Sequence, residues 1–286
     1  MGSTGRQIAD LPDALESESQ LSERLAGRMP AVFLDYDGTL TPIVDRPEDA
    51  LISDRMRQAV RRAAERFPVA VVSGRDRKVV QQLMGVDDLI VAGSHGFDIW
   101  SPSGGAIERQ EGTEFKELLE EVRRRLESEL GGIQGALVEP KSNSVAAHYR
   151  LVSEAERPRV ERVVRQILDE HPDELKVTPG KMVYEIQPKI DWDKGKAVLY
   201  LLQALGLERD DVVPVYLGDD TTDEDAFRAL SGRGIGVFVG RADDPEVAGR
   251  KTAADYALKS IEDVERLLDA LARWAPGRAV AGEREG

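Results

Sequence analysis

A doubly wound α/β core, interrupted by a smaller inserted α/β unit, is the fold that this 286-residue sequence predicts. Three observations predict it. Short, solidly apolar runs stop at small or polar residues and alternate with stretches of helical spacing, as in a parallel sheet buried on both faces. Between about residues 112 and 185 the strand-like stretches instead alternate apolar with polar, which implies a sheet with one wet face. After Pro188 the first style returns.

Residues 1–30 are polar and read as an N-terminal extension, with a short helix around 15–25 and a loose first dozen residues. Ala31-Val32-Phe33-Leu34 is a buried strand that opens at Asp35 into a loop holding Gly38 and Thr39. Met56, Ala59, Val60, Ala63, Ala64 and Phe67 recur at helical spacing. A second apolar run over 69–72 stops at Ser73-Gly74-Arg75, and a third over 89–92 stops at Gly93-Ser94-His95-Gly96. Inside the insert, Phe115, Leu118, Leu119, Val122, Leu126 and Leu130 form a helix stripe that Gly131-Gly132 ends. A polar strand-like stretch follows over 137–149, then a second helix stripe from Val160 to Leu168, then a strand over 181–186. Beyond it come a helix over 197–205, a strand over 212–217 ending in Gly218-Asp219-Asp220, a strand over 236–239 and a final helix over 261–271. The tail from Gly277 is expected to fray. The predicted division is an extension over 1–30, a core over 31–112 and 186–286, and an insert over 113–185.

Composition narrows the function classes. The formal net charge of −14 and a pI near 4.9 repel a phosphate backbone, so no nucleic-acid partner is expected. With no cysteine, disulfides, thiolate zinc sites and a cysteine nucleophile are excluded. The N-terminus has no basic stretch followed by an apolar run, and no segment approaches the ~20 apolar residues of a membrane span. The expectation is a cytoplasmic protein without membrane contact, a monomer with oligomerisation left open.

In open α/β sheets, ligands bind at the carboxyl ends of the strands. Here those ends carry Asp35 and Asp37, then Ser73 and Arg75, then Ser94 and His95, then Asp219, Asp220 and Asp223. Lys194 starts the helix before the last of these strands. So many carboxylates repel unless a hard divalent cation sits among them, and magnesium needs only one or two carboxylates plus substrate oxygens and water. Asp35, Asp37, Asp219, Asp220 and Asp223 are the candidate metal ligands. An aspartate is ionised at neutral pH and can attack phosphorus directly, which makes Asp35 the candidate nucleophile. Asp37, two residues on, can protonate a leaving oxygen and then activate water. Ser73 can donate a hydrogen bond to the transferring group, and Lys194 can neutralise its charge and hold the nucleophile. Lys196 competes with Lys194 for that place.

Asp35-Tyr36-Asp37-Gly38-Thr39-Leu40-Thr41-Pro42-Ile43 resembles the first motif of the haloacid dehalogenase superfamily. Ser73-Gly74-Arg75 resembles its second, Lys194-Gly195 its third, and Gly218-Asp219-Asp220-Thr221-Thr222-Asp223-Glu224 its fourth. The lysine before glycine fits the third motif, which favours Lys194. Asp-x-Asp-Gly-Thr alone is expected by chance only ~0.002 times in such a chain, and here four motifs stand in order. Within the superfamily, Phe33 to Ile43, Val44-Asp45, Ala92 to Gly96, Val145 to Arg150 and Asp219 to Phe227 look like the trehalose-6-phosphate phosphatase family. That resemblance implies a cap over the active site, formed by the insert. It also implies sugar contacts from Glu139 and Lys141, then Arg150, then Lys181 and Glu185, besides Arg75, Ser94 and His95. The implied reaction is hydrolysis of a small sugar phosphate, trehalose 6-phosphate, with Mg2+ and an aspartyl phosphate. A glycosyltransferase partner domain, carried by some relatives, is not expected in this chain. Cap closure implies hinges near 108–114 and 184–190.

Other readings keep part of this pattern. Mannosyl- or glucosylglycerate phosphate would use the same chemistry under a different cap. A phospho-accepting receiver module shares Asp, Thr and Lys around magnesium, but lacks the second acid and the large insert. A catalytically silent regulatory protein would usually have lost Asp35, Asp37 or Lys194, and all three are present.

Overall fold

The structure, a computed structural model, describes residues 5–44, 46–102, 109–110, 113–180 and 182–274. The expected fraying tail from Gly277, Lys181, Asp45, and residues 108, 111 and 112 of the first expected hinge lie outside them. In chain order come β1 (Arg6–Gln7), α1 (Glu18–Leu25), β2 (Met29–Leu34), α2 (Asp54–Ala64), β3 (Val69–Val72), α3 (Arg77–Met84), β4 (Ile90–Gly93), β5 (Asp98–Trp100) and β6 (Arg109–Gln110). Then follow α4 (Lys116–Leu130), β7 (Leu137–Pro140), β8 (Val145–His148), α5 (Arg157–Glu170), β9 (Leu175–Gly180) and β10 (Val183–Pro188). The chain continues with α6 (Lys194–Ala204), β11 (Val212–Gly218), α7 (Asp223–Leu230), β12 (Ile235–Val239), β13 (Lys251–Thr252), β14 (Tyr256–Leu258) and α8 (Ile261–Trp274).

The large sheet has the order β14-β12-β11-β2-β3-β4-β5-β6. Strands from β14 to β4 pair in parallel. Both faces are covered, which explains the unbroken apolar runs. On one face Val32, Leu34, Val71, Val215 and Leu217 meet Leu21, Met56, Val60, Val80 and Leu268 from the α1, α2, α3 and α8 side. On the other, Phe33, Ala70, Val72 and Tyr216 meet Val198, Leu201 and Phe227 from α6 and α7. Local signals agree with these helices. Ser53 Oγ accepts the Met56 N–H at the start of α2, and Asp193 accepts the Lys196 N–H at the start of α6. The chain winds outward from β2 in both directions, so strand order reverses between β2 and β11. Asp35 follows β2 directly and therefore sits at the switch point where such sheets bind ligands.

A separate four-stranded antiparallel sheet has the order β7-β8-β10-β9. Val145, Ala147, Ile186 and Leu175 on one face join Leu126, Val160, Val164 and Ile167 of α4 and α5 in an apolar cluster of their own. In register on the other face stand Glu139, Ala146, Glu185 and Thr178, with His148, Val183 and Gly180 beside them. This is the alternation that predicted one polar face.

Several expectations need correction. The stretch over 137–149 is two strands, β7 and β8, joined by a tight turn closed by Lys141 N–H donating to Ser144 O at 2.9 Å. Because 141–144 is the hydrogen-bonded pair, Pro140 falls at the next, non-bonded position of an edge strand and removes no ladder bond. The large sheet is not wholly parallel, since β5 and β6 add an antiparallel edge. The strand expected at 181–186 lies at 183–188 and pairs with β9, a strand the sequence reading did not separate.

The first dozen residues are not loose from Gly5 onward. Strand β1 pairs with β13, Ile8 N–H donates to Arg250 O, and Ala14 and Ala257 bond across an isolated bridge region. Ile8 is 3% exposed and Ala14 fully buried. These contacts cover the β14 edge of the sheet, which would otherwise present unpaired backbone groups. Their apolar residues follow neither helical nor strand spacing, so no periodic signal marked them. Ile8→Ala is expected to cost about 2–4 kcal/mol, read as a lower midpoint in denaturant unfolding. Among the described residues, no helix is long and apolar enough to cross a membrane.

Candidate active site

Loop geometry at the end of β2 begins with Asp35, whose N–H continues the ladder by donating to Leu217 O at 2.9 Å. The chain then folds back: Leu40 N–H donates to Tyr36 O, and Gly38 N–H to Thr41 O. Gly38 has φ +79°, and a Cβ there would lie 2.1 Å from Asp219 Oδ2. Glycine is thus needed twice, for the left-handed turn and for the approach of Asp219.

Asp35, Asp219 and Asp223 converge, with one carboxylate oxygen of each within 4.8 Å of the others. All three are buried. Lys194, 3% exposed at the start of α6, donates Nζ to Asp35 Oδ1 and Asp223 Oδ1, both at 2.7 Å. Asp223 has further donors. Tyr216 Oη–H reaches Oδ1 at 2.6 Å, and the Asp219 and Asp220 N–H groups reach Oδ2 at 2.9 Å each. Four donors occupy the roughly four lone-pair positions of a carboxylate. Burial would raise Asp223, but Lys194, Tyr216 and the Asp220 N–H hold it below the usual carboxylate range. Asp35 behaves oppositely: burial pushes it well above that range, Lys194 opposes, and Asp223 and Asp219 add to the rise. For Lys194, burial alone would lower the ammonium, yet Asp223 and Asp35 hold it above its ordinary value.

A cavity joins this cluster to the polar face of the small sheet. Asp35, Asp37, Arg75, His95, Glu139, Lys141, Arg150, Glu185, Lys194, Asp219 and Asp220 of the expected residues line it. Arg75 and Asp37 form a two-pronged pair at 2.7 Å on each prong. Lys141 Nζ donates to Glu185 at 3.0 Å and to Gly74 O at 3.1 Å. Ser144 Oγ–H donates to Glu185 at 2.6 Å, and His95 Nε2 lies 3.4 Å from it. Burial would raise Glu185, but Lys141 and His95 hold it well below the usual carboxylate range. His95 and Ser94 both have positive φ, at 56° and 50°, a costly conformation for non-glycine residues that concentrates at functional sites.

Three expected residues do not meet the cavity in the described structure. Ser94 is buried and directs its hydroxyl to Asp76 at 3.0 Å. Ser73 is fully buried, and its oxygen accepts the Arg75 N–H at 3.1 Å. Asp223, the third, is enclosed by the protein groups that donate to it and is not on the cavity wall; Lys181 lies outside the described residues. Conversely, His148 lines the cavity, with Nε2 2.7 Å from Glu139 Oε2. Alternation from Tyr149, which packs against the apolar cluster, places His148 on the polar face. Burial would raise Glu139, but His148, Lys141 and Arg75 hold it below the usual range. Tyr216 and Asp76 carried no sequence signal.

The carboxylate-rich oxygen set suits a hard cation. Three converging carboxylates, those of Asp35, Asp219 and Asp223, face one ammonium and could hold such an ion.

Comparison with known proteins gives the same direction. A family model described as trehalose-phosphatase matches residues 33–262. The chain is 43% identical over 276 residues to trehalose 6-phosphate phosphatase RA3 of Zea mays, covering 91% of this chain and 74% of that protein. Its structure is similar to the C-terminal domain of trehalose-6-phosphate phosphatase from C. albicans, with a TM-score of 0.75 and 22% identity over 95% of this chain and 99% of that one. A haloacid dehalogenase-like hydrolase from Bacteroides thetaiotaomicron shares the fold, with a TM-score of 0.59 and 18% identity over 86% of this chain and 99% of that one. The chain belongs to the trehalose-phosphatase family, phosphoric monoester hydrolases built on the haloacid dehalogenase fold.

Proposed function

We propose that this chain hydrolyses trehalose 6-phosphate to trehalose and phosphate in two magnesium-dependent steps, with Asp35 as nucleophile. The carrying observation is the cluster of Asp35, Lys194, Asp219 and Asp223 under a cavity roofed by Glu139, Lys141, His148 and Glu185. The substrate follows from the name of the maize relative, and the roof suits a disaccharide. Charged side chains give strong, directional hydrogen bonds to sugar hydroxyls. Arg150 and His95 lie in the same lining.

Asp35 and Asp219 would hold Mg2+, with Asp220 on the same wall. When bound, the cation offsets the repulsion between the anionic phosphate and the nucleophile. Asp37 is less suited to the metal by its carboxylate, which Arg75 occupies. Substrate entry would open that pair. Arg75 would turn to the phosphate, and Asp37, released from the guanidinium, would take up a proton from water and pass it to the leaving sugar oxygen. Lys194 keeps Asp35 in place from 2.7 Å. The Ser73 oxygen accepts the Arg75 N–H and so would hold the turn from which Arg75 reaches the phosphate. Attack by Asp35 on phosphorus gives an aspartyl phosphate and releases the sugar. Water activated by Asp37 then cleaves the acyl phosphate. Residues 113–185 act as a cap in this reading, closing to exclude water and turning on the chain near 184–190.

Phosphate release from a panel of sugar phosphates tests the proposal. The panel holds trehalose 6-phosphate beside mannosyl- and glucosylglycerate phosphate. Strong preference for trehalose 6-phosphate is expected, with release falling to background on chelation and returning with magnesium. Preference for another sugar would retain the Asp35 chemistry and discard the substrate. Release indifferent to chelation would discard the metal.

A further inference from the structure

We propose that Asp76 is a positioning residue that latches the β7–β8 hairpin, which carries Glu139 and Lys141, onto the loop after β3. This rests on the reading above, in which that hairpin closes over a phosphatase site.

Asp76 occupies the N-cap position of α3, where an aspartate ordinarily accepts an N–H from the first turn of its own helix. It makes no such bond. Its two oxygens instead accept the Ser142 N–H, at 2.8 and 3.0 Å. Ser94 Oγ–H donates to the same carboxylate at 3.0 Å and so fixes its orientation. The flanking arginines turn elsewhere, Arg75 to Asp37 and Arg77 to Asp98. Ser142 stands at the tip of the hairpin, beside Lys141.

The hairpin therefore meets the 74–76 turn twice. Lys141 reaches Gly74 O with its side chain, and Ser142 reaches Asp76 with its main chain. These contacts differ in what a ligand does to them. Lys141 lines the cavity, so a bound sugar competes for its ammonium. Asp76 and Ser142 do not line it. The main-chain contact persists while Lys141 exchanges partners, and an N–H bonded to a carboxylate is stronger than a neutral pair. Without it, less of the protein occupies the closed arrangement, and apparent affinity for a ligand that needs closure falls by that fraction.

The test compares Asp76→Ala and Asp76→Asn with the unaltered full chain. In Asp76→Ala, amide hydrogen exchange across 140–145 is expected to speed up about tenfold or more, while exchange in α3 stays constant. kcat/KM for trehalose 6-phosphate should fall about tenfold, mainly through KM, with turnover of p-nitrophenyl phosphate retained, since that compound has no sugar for the hairpin to grip. Asp76→Asn keeps one acceptor oxygen and should recover most of both effects. Unchanged exchange over 140–145 would overturn the latch. So would an equal rise in α3, which would make Asp76 a helix cap, or an equal loss on both substrates. Should the unaltered chain fail to cleave trehalose 6-phosphate, the substrate reading falls while the exchange comparison still decides the latch.

Discussion

Asp35→Asn is expected to reduce phosphate release by about 10^4-fold or more while leaving the fold intact. The amide has the shape of the carboxylate but cannot form an acyl phosphate. The local structure tolerates the change. Lys194 retains Asp223 at 2.7 Å and can still donate to an amide oxygen at position 35. Stability should move in the opposite sense to activity. Asp35 has a folded pKa raised above its unfolded value of about 3.9, so the folded state binds more protons between those two values. Stability of the metal-free protein is therefore lost through this group as pH rises across that window. Asp223, Glu139 and Glu185 are held low and work in reverse, losing their contribution as pH falls below the usual carboxylate range. The difference between the two proteins isolates the Asp35 contribution. In chelator, Asp35→Asn should unfold at an equal or higher midpoint near neutral pH, and its advantage should vanish in acid. A midpoint well below that of the unaltered chain would show that Asp35 has a structural role beyond its charge.

Lys194→Met is expected to be the most damaging single change to stability, at about 3–5 kcal/mol. The methionine fills a similar volume and suits a buried position, so packing is not the cause. The ammonium is the only cation hydrogen-bonded to Asp35 and Asp223 among the described contacts. Removing it leaves buried acids facing one another without compensation, with Tyr216 and backbone N–H groups as the remaining donors to Asp223. Denaturant midpoints give the cost directly. Activity should fall as well, by about 10^3-fold, because nothing then fixes the nucleophile or offsets transferred charge. Lys194→Arg should not restore function, since a planar guanidinium cannot place one point charge between two acids. Excess magnesium should recover part of the lost stability, because a ligand that binds only the folded state adds stability by mass action. Unaltered midpoints in Lys194→Met would rule out the charge balance described here.

Much of the site was legible because its signals are local. A strand that ends in a carboxylate, a glycine two or three residues later, and a lysine opening a helix are each written in a few adjacent positions. Asp35, Lys194, Asp219, the two core faces and the polar face of the small sheet could all be read that way. The turn at Ser142 was not separated from its strands, because polar residues continued the alternation through it. The ordering of residues 5–14 left no pattern, since a segment that caps a sheet edge follows the shape of that edge rather than its own period.

What the sequence by itself determined is which residue types stand at which strand ends. Only the tertiary structure decided which of them answer one another. Asp223 and Asp219 look alike in the motif, yet Asp223 accepts from Lys194, 29 positions away, and from Tyr216, so its lone pairs are committed. Ser94 faces Asp76 rather than the cavity, and Asp76 faces Ser142 rather than its own helix. Strand ends are fixed by short-range hydrophobic pattern, whereas lone pairs and protons are shared among groups that the chain brings together only after it has folded.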